Sequence, residues 1–241
     1  MELQRVLGIT RKAVDDFHMI DPGDKIAVGV SGGKDSLALL KALKELSRFY
    51  PNKFDVIAIS VDLGFGNIDF EQMGKYAKDL GVPFYVARTD ISQIVFDARK
   101  EKSPCSLCSK MRKGAFNNMA KSLGCNKTAY GHHKDDVINT FLLSLIYEGR
   151  IHTFSPVTYL DRTGLTLIRP FLYMNEADII GFVNKYHIKV FKNPCPVDGE
   201  TKRAYAKALS NQLNRENPGV KDRIFHAIME DYYHFPAENE K

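Results

Sequence analysis

The sequence predicts an α/β protein with a doubly wound, mostly parallel sheet. Short apolar runs alternate along the chain with stretches of helical periodicity. One of these runs, Val56-Ile57-Ala58-Ile59, has no polar residue, which suits a strand buried on both faces of a sheet. A glycine turn, Gly32-Gly33, follows the first apolar run, and ligands of such sheets bind beyond the carboxyl ends of the strands.

Strands are predicted where the apolar runs are short, and helices where apolar residues recur at helical spacing. A helix comes first, strands and helices then alternate, and two further helices end the chain. The predicted strands cover residues 25–30, 54–62, 84–88, 127–132 and 165–170, with a weaker strand at 189–191. The predicted helices cover residues 3–18, 36–48, 70–80, 107–123, 135–147, 176–186, 203–215 and 220–232.

Composition narrows the class of protein. A chain of 241 residues that is 44% hydrophobic suits one domain, or one domain with a small appendage. No apolar run approaches the roughly 20 residues that span a bilayer, and the start, Met1-Glu2-Leu3-Gln4-Arg5, lacks a secretion-signal pattern. We therefore expect a cytoplasmic protein with no membrane partner. The net charge of +5 suits an anionic partner without requiring one.

The hexapeptide Ser31-Gly32-Gly33-Lys34-Asp35-Ser36 is the strongest functional signal in the chain. Its glycines let the backbone approach a phosphate, and the helix after it offers unpaired N–H groups and a positive dipole end. Lys34 adds a positive charge, and Ser31 and Ser36 add hydroxyl donors. The spacing from Gly29 to Gly33 is too short for a Walker A loop, and Asp35 follows the lysine. We predict a different kind of nucleotide phosphate site.

Three of the four cysteines form a second candidate site. Cys105-Ser106-Leu107-Cys108 places two thiols at the start of a basic helix, and Cys195 lies between two prolines. Without a secretion signal, metal or redox roles are favoured over disulfides. The residues leave open zinc, an iron–sulfur cluster, a redox dithiol and plain packing, and zinc would take a fourth ligand from His132, His133 or Asp198. Cys125, which starts a strand, is interpreted as core packing.

The block Gly131-His132-His133-Lys134-Asp135-Asp136 follows a predicted strand. Gly131 permits a ligand to approach the backbone closely at the strand end. Asp135 and Asp136 lie in the first turn of the next helix, where acidic residues commonly act as caps. For Asp135 a cap and a functional role stay equally open. Each histidine contacts substrate or has a structural role, and the pattern does not decide between them.

The hexapeptide resembles the PP-loop of the N-type ATP pyrophosphatases, which cut ATP between the α and β phosphates. Together with the C-x-x-C, the block at 131–136, Ile168-Arg169-Pro170 and Pro194-Cys195, it resembles the tRNA 2-thiocytidine synthetase family over residues 20–230. Family members often carry a second C-x-x-C at the late site, whereas this chain has Asp198 there. Thiolases that act on uridine carry zinc-finger cysteines at both ends, and this chain has none.

The resemblance implies an adenine nucleotide alpha-hydrolase-like (Rossmann-like) fold with helical additions at both ends. The implied division is an N-terminal helix over 1–20, a PP-loop ATPase domain over 21–192 and a helical appendage over 193–241. The implied cofactors are ATP, Mg²⁺ and a [4Fe-4S] cluster held by Cys105, Cys108 and Cys195. The implied reaction adenylates the C2 oxygen of a cytidine in the anticodon loop of tRNA, and sulfide then displaces AMP.

Roles for individual residues follow from the same resemblance. Ser31, Lys34, Asp136 and the three cysteines are the expected catalytic residues, and Asp136 also contacts Mg²⁺. ATP is expected to contact Ser60 and Val61, which frame the adenine, while Asp62 binds ribose or caps a loop and Arg169 is a weaker phosphate contact. The remaining expected ATP contacts are Ser31, Gly32, Gly33, Lys34, Asp35, Ser36, Gly131 and Asp136.

The implied partners are tRNA and a sulfur donor such as a cysteine desulfurase, and a homodimer stays open. Basic residues available to a phosphate backbone are Lys110, Arg112, Lys113, Arg150, Lys202, Arg203, Lys207, Arg215, Lys221 and Arg223. Three alternatives also stay open. They are an adenylating ligase without sulfur chemistry and with a structural zinc site, a zinc-stabilised binding module without turnover, and a cluster-dependent thiolase or desulfidase for another base.

Overall fold

A computed structural model describes residues 1–66, 68–98, 104–191 and 202–234. Its strands form a six-stranded sheet in the order β3-β2-β1-β4-β6-β5. Every neighbouring pair is parallel except β5 and β6, which form an antiparallel hairpin. The predicted, mostly parallel sheet is therefore confirmed. The strands are β1 (Lys25–Gly29), β2 (Asp55–Asp62), β3 (Phe84–Arg88), β4 (Lys127–Ala129), β5 (Val157–Leu160) and β6 (Leu165–Ile168).

Helices cover both faces of this sheet, as expected when its strands are apolar throughout. Ile26 and Val28 of β1 pack in one cluster with residues of α1, α2, α3 and α6. Ala27, between them, faces the other side and packs with Phe116 of α4. The helices are α1 (Leu3–Asp16), α2 (Lys34–Ser47), α3 (Phe70–Asp79), α4 (Pro104–Ser122), α5 (Lys134–Glu148), α6 (Glu176–Lys185), α7 (Lys202–Glu216) and α8 (Val220–Ala227), with π-helical turns at Gln93–Ala98 and Ile228–Tyr232.

The last two helices pack against α5. Phe225 of α8 lies in an apolar cluster with Val137 of α5 and with Leu172. The buried Ser210 hydroxyl of α7 donates to Asn139 Oδ1 of α5 over 2.8 Å. Both helices thus pack on α5, the helix that begins within the sequence block at residues 131–136. The division at residues 20 and 192 stays a prediction, and residues 192–201 lie outside the described ranges.

Two strand assignments from the sequence are wrong. Residues 189–191 form no strand, and instead the Phe191 N–H donates to Gly32 O over 2.9 Å. The strand β5 is not among the predicted strands, although the tight turn to β6, closed by a hydrogen bond from Gly164 N–H to Leu160 O, ends in a glycine at φ +70°. That pattern is typical of a hairpin. A local apolar run does not reliably predict a strand, because whether a segment becomes a strand depends on a partner strand that it can pair with.

Two helices start two or three residues earlier than predicted. The helix α2 begins at Lys34 and not at Ser36, so the lysine occupies its first turn. The helix α4 begins at Pro104, so both cysteines of the C-x-x-C are helical. Proline suits a first helical position because its missing N–H has no intrahelical acceptor there. No helix in the described ranges is long and apolar enough to cross a bilayer.

Candidate active site

The glycine turn joins β1 to α2 at the carboxyl edge of the sheet. Gly32 has φ +82°, a left-handed conformation that favours glycine. A Cβ added there would lie 3.0 Å from Phe191 Cβ, so the turn also lacks room for a side chain. Gly33 is the N-cap of α2 and leaves the first N–H groups of this helix without a capping side chain. Such N–H groups bind anions.

Hydroxyls hold the loop in shape. The Ser36 hydroxyl donates to Gly33 O over 2.9 Å and accepts from the Ser31 N–H over 3.2 Å. Ser31 Oγ lies 3.3 Å from Ser36 Oγ and accepts from the Gly33 N–H over 3.4 Å. Ser36 is buried, whereas Ser31 is exposed. The buried hydroxyl therefore shapes the loop, and the exposed one is available to a ligand.

Lys34 forms ion pairs with two carboxylates. Its Nζ lies 3.0 Å from Asp35 Oδ2 and 3.0 Å from Glu176 Oε1. Although burial alone would lower it, the pKa of Lys34 is raised, because Asp35 and Glu176 stabilise the ammonium. Glu176 also accepts from Lys207 Nζ of α7 over 2.7 Å. A phosphate that binds this loop would compete with carboxylates for a lysine that is fully charged.

Sequence reasoning missed Glu176. It is the first residue of α6, where an acidic residue looks like an ordinary partner of the helix dipole. In the structure it instead joins the phosphate loop to α7. Burial raises its pKa, but Lys207 and Lys34 outweigh burial, so the pKa of Glu176 lies below its ordinary value of 4.5.

Glu176→Gln is expected to destabilise the fold at neutral pH by about 1 kcal/mol, because it removes a charge-assisted partner from Lys34 and Lys207. A carboxylate whose pKa is lowered in the folded protein stabilises the fold fully when the pH is above the ordinary pKa of 4.5. This stabilisation is lost as the pH falls through the pKa that the group has in the folded protein. Urea unfolding at pH 7 and pH 3.5 should therefore show a smaller difference between variant and wild type at the lower pH.

Glu45→Gln is the matched control for this prediction. Glu45 pairs at 3.0 Å with Arg48, whose side chain is 60% exposed. Exposed pairs of this kind contribute ~0.5 kcal/mol or less. If Glu176→Gln changed the free energy of unfolding no more than Glu45→Gln did, the ion pairs of Glu176 with Lys34 and Lys207 would not stabilise the fold more than an exposed pair does.

The turn after β4 lies directly against the phosphate loop. A Cβ added at Gly131 would lie 2.8 Å from Asp35 O and 2.9 Å from Asp35 C. The group that approaches this glycine is thus the first turn of α2. Contact between Gly131 and ATP stays a prediction.

Gly131→Ala is expected to destabilise the protein by about 1–3 kcal/mol, because the backbone of α2 must move to admit the methyl group. Gly8→Ala is the control. Gly8 lies on the exposed side of α1 with nothing within 4 Å of its added Cβ, and alanine there should stabilise the helix by about 1 kcal/mol. Thermal unfolding of both variants measures the contrast. Equal shifts in the unfolding temperature of the two variants would mean that the backbone of α2 moves away from the added methyl group without a cost in stability.

Two carboxylates and a histidine meet between the loop and α5. Nε2 of the buried His133 lies 3.8 Å from Asp35 Oδ1 and 3.5 Å from Asp136 Oδ2. Asp136 Oδ2 also accepts from the His133 N–H over 3.1 Å. Asp35 Oδ1 and His133 Nδ1 are buried and have no hydrogen-bond partner among the described residues. Buried polar atoms without partners are uncommon, and a ligand or water that donates to them would satisfy them.

Asp135, which the sequence left open, joins three helices. Its Oδ2 accepts from the Glu176 N–H over 2.8 Å, and its Oδ1 from Lys221 Nζ over 2.6 Å. Burial raises its pKa, but Lys221 and the Glu176 N–H outweigh burial, and the pKa of Asp135 is lowered. This side chain has a structural role.

Lys207 and Lys221 are both predicted RNA contacts. In the structure each of them forms an ion pair with a carboxylate, Lys207 with Glu176 and Lys221 with Asp135.

The half-buried His132 and the buried Arg169 form a pair beyond the ends of β4 and β6. Arg169 Nε donates to His132 Nδ1 over 3.2 Å, and the guanidinium lies 4.8 Å from the centroid of the Phe154 ring. Burial and the charge of Arg169 lower the pKa of His132 to about 4. Because Nδ1 accepts this hydrogen bond, the neutral imidazole carries its proton on Nε2.

Positive charge accumulates around this pair. Burial, Arg169, Arg112 and Arg203 together lower the pKa of Lys113. No ion pair to a described carboxylate is present for Arg112, Lys113 or Arg203. Like charges that repel one another in this way favour an anion between them.

The predicted adenine site lies on β2. Ser60 is buried and Val61 is half-buried near the end of this strand. Asp62 Oδ1 accepts from the Gly64 N–H over 2.9 Å, so this aspartate caps the loop after the strand. Its Oδ2 lies 3.7 Å from Arg88 Nη1.

The C-x-x-C lies at the same edge of the sheet. Cys105 is exposed and Cys108 is half-buried, and positions i and i+3 share one side of a helix. Cys108 packs against the apolar cluster of Leu63, Ile91 and Val95, and Leu63 directly follows β2. The phosphate loop follows the neighbouring strand β1. The third predicted ligand, Cys195, lies outside the described residues. Cys125 packs in the core, as predicted, and burial raises its pKa.

Two thiols on one exposed helical turn fit an iron–sulfur cluster, whose usual ligands are cysteine thiolates. In the part of the chain that the structure describes, no three His, Cys, Asp or Glu side chains converge as a metal-binding group. Magnesium at Asp136 would take most of its ligands from phosphates and water.

A parallel sheet with a glycine loop at the N-terminus of α2 defines a nucleotide-binding α/β protein. A family model described as PP-loop domain matches residues 7–213. The tRNA-cytidine(32) 2-sulfurtransferase of Pelobacter propionicus is 39% identical over 220 residues, which cover 90% of this chain and 82% of that protein. The enzyme of the same name from Geobacter sulfurreducens is 35% identical, over 93% of this chain and 89% of that protein.

Solved structures share the fold. The U34-tRNA thiolase NcsA from Methanococcus maripaludis, with its [4Fe-4S] cluster, matches with a TM-score of 0.77 at 23% identity, over 97% of this chain and 80% of that one. The NH3-dependent NAD synthetase from Campylobacter jejuni matches with a TM-score of 0.53 at 15% identity, over all of both chains. The chain belongs to the PP-loop family and, within it, to the family of tRNA-cytidine(32) 2-sulfurtransferases.

Proposed function

We propose that this chain transfers sulfur to C2 of cytidine 32 in tRNA in an ATP-dependent reaction. Family membership supports the reaction class. The observation that carries the proposal is the placement of the C-x-x-C. Cys108 packs against the apolar cluster that contains Leu63, which directly follows β2, and the phosphate loop follows β1, so the C-x-x-C and the phosphate loop lie at one edge of the sheet.

ATP would place its phosphates on the hexapeptide 31–36 and its adenine beside Ser60 and Val61. Uncapped N–H groups of α2, the exposed Ser31 hydroxyl and Lys34 supply donors for the phosphates. Asp136 faces this position from the start of α5, and Mg²⁺ between its carboxylate and the phosphates would remove their repulsion.

In the first step, the C2 oxygen of cytidine attacks the α-phosphorus of ATP, and pyrophosphate leaves. Lys34 and the N-terminus of α2 stabilise the negative charge that develops as the phosphates separate. The cytidine then carries AMP on its C2 oxygen as a leaving group. In the second step, hydrosulfide forms the C2–S bond, the C2–O bond breaks, AMP leaves with the oxygen, and the sulfur proton passes to solvent.

Cys105, Cys108 and Cys195 would hold a [4Fe-4S] cluster beside the target base. When bound, a cluster with three protein ligands supplies a fourth, open iron position for the sulfur that is transferred. The neutral His132, with its proton on Nε2, would be available there as a hydrogen-bond donor. Arg169 fixes that orientation, and neither group needs to change its charge during the reaction at neutral pH.

Several accompanying features belong to the same proposal. The sulfur donor would be a cysteine desulfurase or a comparable carrier, and the enzyme would act in the cytoplasm. Residues 21–192 would form the ATPase domain, with an N-terminal helix before it and a helical appendage after it. A homodimer is compatible with this account and is not needed for it.

The direct test is thiolation in vitro under anaerobic conditions. The purified protein, with its iron and sulfide restored, is incubated with ATP, Mg²⁺, sulfide and a tRNA that carries C32. Nucleoside mass spectrometry should then find 2-thiocytidine only when ATP is present. The same tRNA with U32 is the matched control and should stay unmodified. Sulfur in another base, or in neither tRNA, would contradict the proposal.

A further inference from the structure

An exposed group of aromatic and basic side chains lies where α5 ends beside the start of α7. Tyr147 is 46% exposed and Tyr205 is 53% exposed. Their ring centroids are 6.4 Å apart, with the planes inclined by 73°. Lys202 Nζ lies 4.4 Å from the centroid of the Tyr147 ring. We call these three residues the tyrosine surface.

The packing of the two helices holds this surface in place. Asn139 of α5 hydrogen-bonds Ser210 of α7, and both side chains are buried. Eight residues further along α5, Tyr147 meets residues of α7 that precede Ser210, so the two helices run antiparallel. The start of α7 therefore lies beside the end of α5, and the tyrosine surface is a fixed feature of the described fold.

The charge around the tyrosine surface suits a polyanion. The first fourteen residues of α7 contain Lys202, Arg203, Lys207 and Arg215 and no acidic residue. Arg150 follows α5 and is exposed. Exposed tyrosine rings beside cations are the usual stacking surface for bases of single-stranded RNA.

The same positive charge continues to the active site. Arg203, next to Lys202, lies close enough to His132 and Lys113 for its charge to help lower the pKa of both. The other end of α5 carries Asp136, and the fourteen residues from Lys134 to Tyr147 span about 20 Å at a rise of 1.5 Å per residue. A basic path thus connects the tyrosine surface with the position proposed for the target base.

We propose that Tyr147, Tyr205 and Lys202 bind RNA by stacking on unpaired bases near the target nucleotide. This inference rests on the proposed function and identifies the surface that its RNA contacts. The exposed aliphatic neighbours Leu145, Ile146 and Ile151 would also suit a second copy of the chain. The cations of α7 disfavour that occupant, because two copies facing each other would bring like charges together.

The test measures the affinity of the purified full chain for a fluorescent anticodon stem-loop RNA at fixed salt. Tyr147→Ala and Tyr205→Ala should each weaken binding by about tenfold, because a stacked base loses its aromatic partner. Tyr147→Phe should bind like wild type, whereas Tyr147→Leu should bind like Tyr147→Ala. Tyr159→Ala is the matched control, since Tyr159 is 62% exposed on β5, and it should bind like wild type.

The outcomes separate this inference from the proposed function. If wild type binds and thiolates tRNA, and Tyr147→Ala and Tyr205→Ala bind the RNA as tightly as wild type, the tyrosine surface does not bind RNA. The proposed function is then unaffected. If Tyr147→Leu keeps full affinity, apolar area and not stacking is responsible, which overturns the proposal. If sedimentation shows a dimer that Tyr147→Ala dissociates without loss of RNA affinity, the occupant is a second copy. If wild type binds no tRNA, the proposed function itself fails.

Discussion

Lys34→Ala is expected to lower the rate of tRNA-dependent AMP formation by about 100- to 1,000-fold, the usual cost of losing one fixed charge from a transition state. The structure gives the reason, since the lysine lies in the first turn of α2 and is kept charged by Asp35 and Glu176. AMP release from radiolabelled ATP measures the effect.

The control for Lys34→Ala is the iron and sulfide content of the same preparation. Cys105 and Cys108 lie on α4 and not on the loop, so the variant should keep wild-type amounts of both. Loss of iron together with AMP formation would mean that the two sites are one structural unit. Wild-type AMP formation would remove Lys34 from the proposed chemistry.

Alanine at Cys105, Cys108 or Cys195 is expected to abolish thiolation, because two thiolates cannot hold a cluster that needs three protein ligands. AMP formation should continue in each variant, since the phosphate loop is unchanged. Both products are measured in one reaction, thiolated nucleoside by mass spectrometry and AMP by chromatography.

Cys125→Ala is the matched control, because this thiol is buried in the core and precedes β4, whereas the phosphate loop follows the parallel strand β1 at the other edge of the sheet. It should lose stability and keep thiolation. If Cys195→Ala still made 2-thiocytidine, the three-cysteine ligand set would be wrong. If Cys105→Ala lost iron but kept thiolation, sulfur would reach the base by another route.

The sequence predicts the central architecture well, because its signals are local. Continuous apolar runs mark β1 and β2, and the turn from Gly32 to Lys34 combines backbone freedom with a helix start. Each of these features acts within a few residues. The family resemblance rests on the same short segments, and the comparisons confirm it.

Contacts between distant segments could not be predicted. Glu176 and Lys34 are 142 positions apart, and no local pattern pairs them. Asp135 looks like a helix cap, yet it accepts hydrogen bonds from the start of α6 and from Lys221 of α8. Whether residues 189–191 form a strand depends on a partner strand. In the structure the Phe191 N–H instead donates a hydrogen bond to Gly32 O of the glycine turn. Tertiary packing decides all three.

The most direct test of the account follows the oxygen at C2 of the target base. A tRNA synthesised with ¹⁸O at the C2 carbonyl of cytidine 32 is thiolated by the protein with ATP, and the AMP released is analysed by mass spectrometry. The account predicts one ¹⁸O atom in AMP for each 2-thiocytidine formed, because AMP leaves with that oxygen. Thiolated tRNA together with unlabelled AMP would contradict it, since sulfur would then have entered without adenylation of the base.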